Sequence, residues 1–231
     1  MYTLLLRLAG PLQSWGADSK FEIRYTENAP TKSGIIGMIA AALGRRRDES
    51  LEDLSNLQYG VRIDQPGEVI EDFHTARKDE KTSYITRRYY LSDAVFVVGI
   101  ESDDPVKLED IKNALQYPEF PLFLGRRSCP PDPRMVLGIV EKPLEQALKE
   151  CPLQGRKNAS YQPRILLESK NGRAVRRVMD DPVSFNPTKR EYRSRLVSSV
   201  ILPPSEQPES LSTNLKSDSE HDPFAELEGT R

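Results

Sequence analysis

The sequence predicts an α+β fold with a ferredoxin-like, RRM-like βαββαβ core, and three observations carry that expectation. Apolar runs of strand length recur at residues 2–8, 59–63, 93–101 and 135–140. Two helical patterns, 34–43 and 106–115, fall between them, giving the order strand, helix, strand, strand, helix, strand. The stretch between the second and third strands, about residues 64–90, is rich in charge and poor in large aliphatics, so it is an insertion and not core. A sheet of this kind can present an RNA-binding face.

Each element has its own signal. Residues 2–8 are short, apolar and stopped by Gly10-Pro11, which reads as a buried strand. A loop over 10–31 follows and holds the single tryptophan, Trp15. Pro30-Thr31-Lys32-Ser33 reads as a helix start, with Thr31 or Ser33 as N-cap. The run 34–43 is apolar nearly all round, so this helix is expected to be heavily buried. Gly34, Gly37 and Ala41 share one of its faces. Each glycine costs about 1 kcal/mol against alanine, a cost offset if a sheet or a ligand backbone approaches closely. Gly44 can close the helix, and Arg45, Arg46 and Arg47 follow at its negative end.

Leu51, Leu54 and Leu57 suggest a short second helix, and Val61 and Ile63 share a face of the next strand. Residues 93–101 (DAVFVVGIE) are the clearest strand. Leu108, Ile111 and Leu115 line one side of the helix that follows. Beyond residue 140 we expect a helix at 144–150. A hairpin with arms 164–168 and 174–179, turned by Asn171-Gly172, comes next. A strand at 196–202 closes the fold. The organisation is then a core over 1–142, a small C-terminal β region over 143–202 packed on it, and a tail over 203–231. That tail is rich in Ser, Glu and Pro and reads as disordered.

The chain's 231 residues suffice for one full domain plus a smaller attachment. A net charge of −2 hides an asymmetry. The tail carries seven acids against Lys216 and Arg231, or −5, which leaves +3 on residues 1–202. A mildly basic body with an acidic tail fits a polyanion partner without requiring one. Cys129 and Cys151 form neither a CxxC pair nor a metal spacing, so they read as free thiols of a reducing cytosol. The opening apolar run is too short to span a bilayer and has no basic segment before it. The expectation is a cytoplasmic protein with no membrane partner, no metal and no cofactor.

Three stretches have the chemistry to bind RNA. The centre of the insertion interleaves Arg77, Lys81, Arg87 and Arg88 with Tyr84 and Tyr89. Arginine and lysine neutralise phosphate, and tyrosine rings stack on bases. Gly125-Arg126-Arg127-Ser128 offers a close backbone approach, two planar forks and a hydroxyl. The loop with Gly10, Gln13, Ser14 and Trp15 can read or stack on a base. Each has a plainer reading: a solvated charged loop, a surface turn, and a tryptophan capping the core. Catalytic patterns are scarce. There is no HExxH, no G-x-S-x-G and no P-loop. His74 with Tyr84 or Lys81 is the only acid–base set that can be assembled for a metal-independent ribonuclease.

Taken in order, several blocks resemble one family. Residues 7–16 (RLAGPLQSWG) resemble the opening of the CasD family, subunits of Cascade, the type I-E CRISPR effector. Residues 30–37 (PTKSGIIG), 72–75 (DFHT), 89–94 (YYLSDA) and 124–130 (LGRRSCP) resemble its later blocks, over about residues 1–131. The resemblance implies a RAMP-superfamily protein whose ferredoxin-like core carries a β-hairpin thumb, here about residues 72–90. It implies a non-catalytic subunit that grips the 5′ handle of the CRISPR RNA and caps one end of the backbone filament. It further implies contact with the large subunit, and with target DNA only indirectly. On that resemblance Arg7, Gly10, Gln13, Ser14, Trp15, Lys32, Ser33, His74, the insertion residues named above and Gly125 to Ser128 converge on the handle. Two other readings stay open: an endoribonuclease acting through His74, and a structural adaptor with little RNA contact.

Overall fold

The computed structural model describes residues 1–16, 22–77, 83–155, 161–169 and 176–208. The class is α+β, with strands dominating in two antiparallel-rich sheets. The large sheet has seven strands in the order β10-β11-β9-β4-β7-β1-β8. These are β1 (Tyr2–Ala9), β4 (Gln58–Gln65), β7 (Val95–Ser102), β8 (Val136–Val140), β9 (Arg164–Glu168), β10 (Arg176–Ser184) and β11 (Glu191–Ile201). Each neighbour pair is antiparallel. The small sheet joins β2 (Leu12–Gln13), β3 (Ile23–Arg24), β5 (Glu68–Arg77) and β6 (Ser83–Ser92).

Alternation along the large sheet makes two cores. One face carries Leu4, Leu6, Leu8, Val61, Phe96, Val98 and Ile100. It is covered by α1 (Lys32–Ala42), α2 (Glu52–Ser55) and α3 (Pro105–Gln116), through Ile35, Ile36, Ile39, Leu54, Leu108 and Ile111. The helix starts follow capping chemistry: Thr31 Oγ1 accepts from Gly34 N, and Asp104 accepts from Val106 N and Lys107 N. The close approach expected along the glycine face of α1 is made by aromatic rings. A Cβ on Gly34 would sit 3.0 Å from the Trp15 indole, and one on Gly37 would sit 3.5 Å from Phe185.

The opposite face is not open for RNA, as an RRM-like sheet would leave it. Helix α4 (Leu144–Glu150) roofs its centre, packing Leu144, Ala147 and Leu148 on Leu5, Val97 and Ile165. Arg62, fully buried, ties β4 to the end of that helix. Its guanidinium donates to Asp64 and to the carbonyls of Leu148, Cys151 and Pro152, satisfying acceptors that the helix end leaves unpaired.

The C-terminal strands depart from expectation. The arms 164–168 and 174–179 do not pair as a hairpin. Strand β11 lies between β9 and β10 and pairs with both, sharing Val197 between Arg176 on one side and Glu168 on the other. The Asn171-Gly172 turn lies outside the described residues, as do Lys81 and the tail beyond residue 208. The hairpin does not form because the eleven-residue β11 pairs with β10 along Glu191 to Val197 and with β9 along Val197 to Ile201. Strand β9 then pairs with β4, so these strands extend the large sheet edge to edge. Among the described residues no helix is long and apolar enough to cross a membrane.

Candidate nucleic-acid interface

The insertion folds as a hairpin. Its strands β5 and β6 pair in register from Glu68 opposite Ser92 to Arg77 opposite Ser83. Val69, Phe73, Tyr84 and Ile85 are exposed, and burial returns only at Tyr90 and Leu91. The hairpin therefore stands off the core and is anchored at its root. There β6 pairs with β2 on one stretch and, in parallel, with β3 on another, Ile23 opposite Arg87 and Arg24 opposite Arg88.

The Gly125–Ser128 turn meets that root. Gly125 has φ +85°, and a Cβ there would overlap the Ser14 carbonyl oxygen at 1.6 Å, so only glycine fits. The turn is set by Leu124 N donating to Cys129 O and Cys129 N donating to Arg126 O. Arg126 then reaches across three segments. It donates to the carbonyls of Tyr89 (3.1 Å), Arg24 (2.8 Å) and Tyr25 (3.3 Å). Its guanidinium lies 4.7 Å from the centre of the Tyr90 ring. Arg126 is thus a brace holding hairpin, β3 and turn together through main-chain carbonyls. Arg127 and Ser128, next along the turn, are exposed.

Several predicted contacts are spent inside the protein as well. Trp15 is fully buried and donates from Nε1 to Gln13 Oε1, while Gln13 Nε2 donates to the carbonyls of Leu8 and Ala94. The plainer reading of this loop, a tryptophan in the core, is the one observed. Ser14 Oγ donates to Tyr89 O, and Gly10 packs against the Pro130 carbonyl. Arg7 pairs with Asp132 at 2.8 Å. The backbone N–H of Arg134 and the Arg7 guanidinium hold the Asp132 carboxyl below the usual aspartate range. Lys32 is only 4% exposed and pairs with Glu168 at 3.1 Å and Asp181 at 2.9 Å. Its backbone N–H donates to Asp180, which in turn holds Arg195. Ser33 donates to the Thr31 hydroxyl. Each of these side chains thus has a partner within the protein.

What remains open lies on the hairpin and at its root. Arg77 is exposed, and Arg87 is exposed beside Glu71 at 3.5 Å. Arg88 is half-buried, with its Nε lacking a hydrogen-bond partner among the described residues. His74 is half exposed on β5 and shares a 2.6 Å hydrogen bond with Asp72. Tyr84 sits opposite Ala76, two positions along from the Thr86 that faces His74. Sequence reasoning missed Tyr25. Its ring stacks on Tyr89 with centroids 5.2 Å apart and planes at 14°. The Tyr89 hydroxyl donates to Glu71 at 2.8 Å, which pushes its pKa up. The only sequence signal for Tyr25 is an aromatic beside Arg24 in a loop. Among the described residues no cluster of His, Cys, Asp and Glu is set to hold a metal.

The chain has counterparts among known proteins. The family model described as CRISPR-associated protein (Cas_Cas5) matches residues 3–198. The chain is 35% identical over 159 residues to the CRISPR system Cascade subunit CasD of Escherichia coli (strain K12), covering 60% of this chain and 71% of that protein. Among solved structures, a chain of a CRISPR RNA-guided surveillance complex aligns with a TM-score of 0.75 at 35% identity, over 86% of this chain and 89% of that one. A second, described as a Cas protein, aligns with a TM-score of 0.74 at 41% identity, over 90% and 98%. The chain belongs to the Cas5 family of CRISPR-associated proteins.

Proposed function

We propose, on the premise of Cas5 membership, that this protein is a guide-RNA-binding subunit of a Cascade-type CRISPR complex and that it holds RNA without cutting it. The observation that carries this reading is the hairpin root. There Arg24, Arg87 and Arg127 stand exposed beside the stacked tyrosines 25 and 89, while Arg7 and Lys32 of the neighbouring scaffold are paired within the protein. Exposed arginines beside aromatic rings suit a single-stranded polyanion with flat bases. The relatives add support, since one is a Cascade subunit and another belongs to an RNA-guided complex.

The finer reading follows from the same premise. The strands β4-β7-β1-β8, with α1 and α3 on one face, form a ferredoxin-like βαββαβ unit of the RAMP type, and the β5–β6 hairpin is its thumb. The RNA held is the 5′ handle of the CRISPR RNA. The subunit caps one end of the backbone filament and touches the large subunit, meeting target DNA only through the guide. It acts in the cytoplasm. His74, bonded to the exposed Asp72, belongs to the hairpin surface and not to a cleavage centre.

Incubation of the purified chain with repeat RNA from its own CRISPR array, in EDTA, tests the reading. RNA retained and intact is the expected result. Site-specific cleavage that disappears in His74→Ala would establish the ribonuclease instead.

A further inference from the structure

Two tyrosines at the hairpin root are arranged in a way the core does not require. Tyr25 comes from the end of β3 and Tyr89 from β6, and their rings lie nearly parallel. Tyr25 remains 49% exposed although one side of it is covered by Tyr89. A ring kept for core packing would be buried; this one is held at the surface.

The pair is also locked. The Tyr89 hydroxyl is fixed by Glu71, and Arg87 N donates to Glu22 O, binding β3 to β6. Arg126 donates to the carbonyls of both Tyr25 and Tyr89, so one guanidinium sets the spacing of the two segments that carry the rings. Those bonds hold the two backbones that carry the rings and fix the Tyr89 ring, so part of the ordering cost of a stacking site is met before any ligand arrives.

The surroundings select the ligand. Arg24, Arg87 and Arg127 lie on the segments that carry or brace the rings. The acids on and beside those segments are Glu22, Glu27, Glu68, Glu71 and Asp72; Glu71 is engaged by Tyr89 and Arg87, Asp72 by His74, and Glu27 by Arg176. A flat, uncharged ring on an anionic backbone matches this surface, which is the chemistry of a base in single-stranded RNA.

We propose that Tyr25, stacked on Tyr89 and positioned by Arg126, is a base-stacking platform for one nucleotide of the bound RNA. The proposal rests on the RNA-binding reading above and adds the contact that orders a base. Arg126 is a positioning residue: it acts through the carbonyls of the two tyrosines and gives nothing to phosphate.

The test uses the full chain and a mixed-sequence single-stranded RNA of about 16 nucleotides carrying iodouridine. Irradiation should link the RNA to Tyr25. Tyr25→Ala should weaken binding by roughly five- to a hundred-fold, the range set by loss of one stacked base, with the salt dependence unchanged. Tyr25→Phe should bind as the parent does, because the ring and not the hydroxyl stacks. Arg126→Lys should weaken binding without changing the salt slope, because an ammonium cannot bridge three carbonyls. Loss of slope in that variant would instead make Arg126 a phosphate contact and overturn its assignment. Parental affinity in Tyr25→Ala, while Arg127→Ala still lowers the slope, overturns the platform and leaves the RNA reading standing. A parent chain that retains no RNA overturns both. RNA binding intact in Tyr25→Ala, but assembly with partner subunits lost, overturns the platform in favour of a protein contact.

Discussion

The start of α1 and the root of the hairpin both gather cations beside aromatic rings, and they come to opposite ends. At α1, Lys32 and Arg195 are enclosed with Glu168, Asp180 and Asp181, and the Arg195 guanidinium lies 5.1 Å from the Tyr59 ring. That cluster is a joint between the helical body and the C-terminal strands. At the hairpin root the brace, Arg126, is likewise bonded to protein, but Arg24 and Arg127 are exposed and Arg87 is exposed beside Glu71. The difference teaches that a cation's availability depends on acids far away in sequence. Lys32 is neutralised from strands 136 or more residues distant, while the exposed arginines have at most a partial partner.

The contrast can be broken at its closed end first. Trp15→Ala should cost about 3–5 kcal/mol of folding stability, because the indole is fully buried against α1. Urea unfolding measures this, and a loss below about 1 kcal/mol would put Trp15 outside the core. Lys32→Met should cost about 3 kcal/mol by leaving Glu168 and Asp181 with only their longer contacts to Arg195 and Arg193, and should leave the salt dependence of RNA binding as it was. A stable variant with a lowered salt slope would return Lys32 to the RNA surface.

A smaller effect sharpens the same division. Asp132 is held below the ordinary aspartate range by the Arg134 N–H and by Arg7. Its contribution is complete above roughly pH 4 and fades as pH falls through the depressed value. Asp132→Asn should therefore flatten part of the acid-side loss of Tm. A curve parallel to the parent's would mean that Arg7 is not committed to this pair.

Local pattern and tertiary pairing explain what the sequence disclosed. Strand β7 and helix α1 were legible because continuous apolar runs bounded by Gly, Pro and capping residues admit few alternatives. The 164–179 segment was misread because an Asn-Gly turn signal is local, whereas the pairing was decided by the long β11 further along the chain. At the site, the Gly125 turn and the charged insertion were legible from the residues, and the hairpin form of the insertion was implied by the family resemblance. The protein partners of Lys32, Arg7 and Gln13 were not legible because they are distant in sequence or main-chain atoms, which leave no mark beside them. Tyr25 was missed because a lone aromatic in a loop becomes a site only when β3 lays it on Tyr89.

The central claim is that the open arginines at the hairpin root hold RNA phosphates. Filter binding of single-stranded RNA across a salt series, with Arg87→Ala/Arg127→Ala against the parent chain, tests it most directly. Removing one arginine from a phosphate should lower the log–log salt slope by about 0.7, so the double variant should fall by about 1.4 while its melting temperature holds. Parental affinity and slope in that variant would contradict the account.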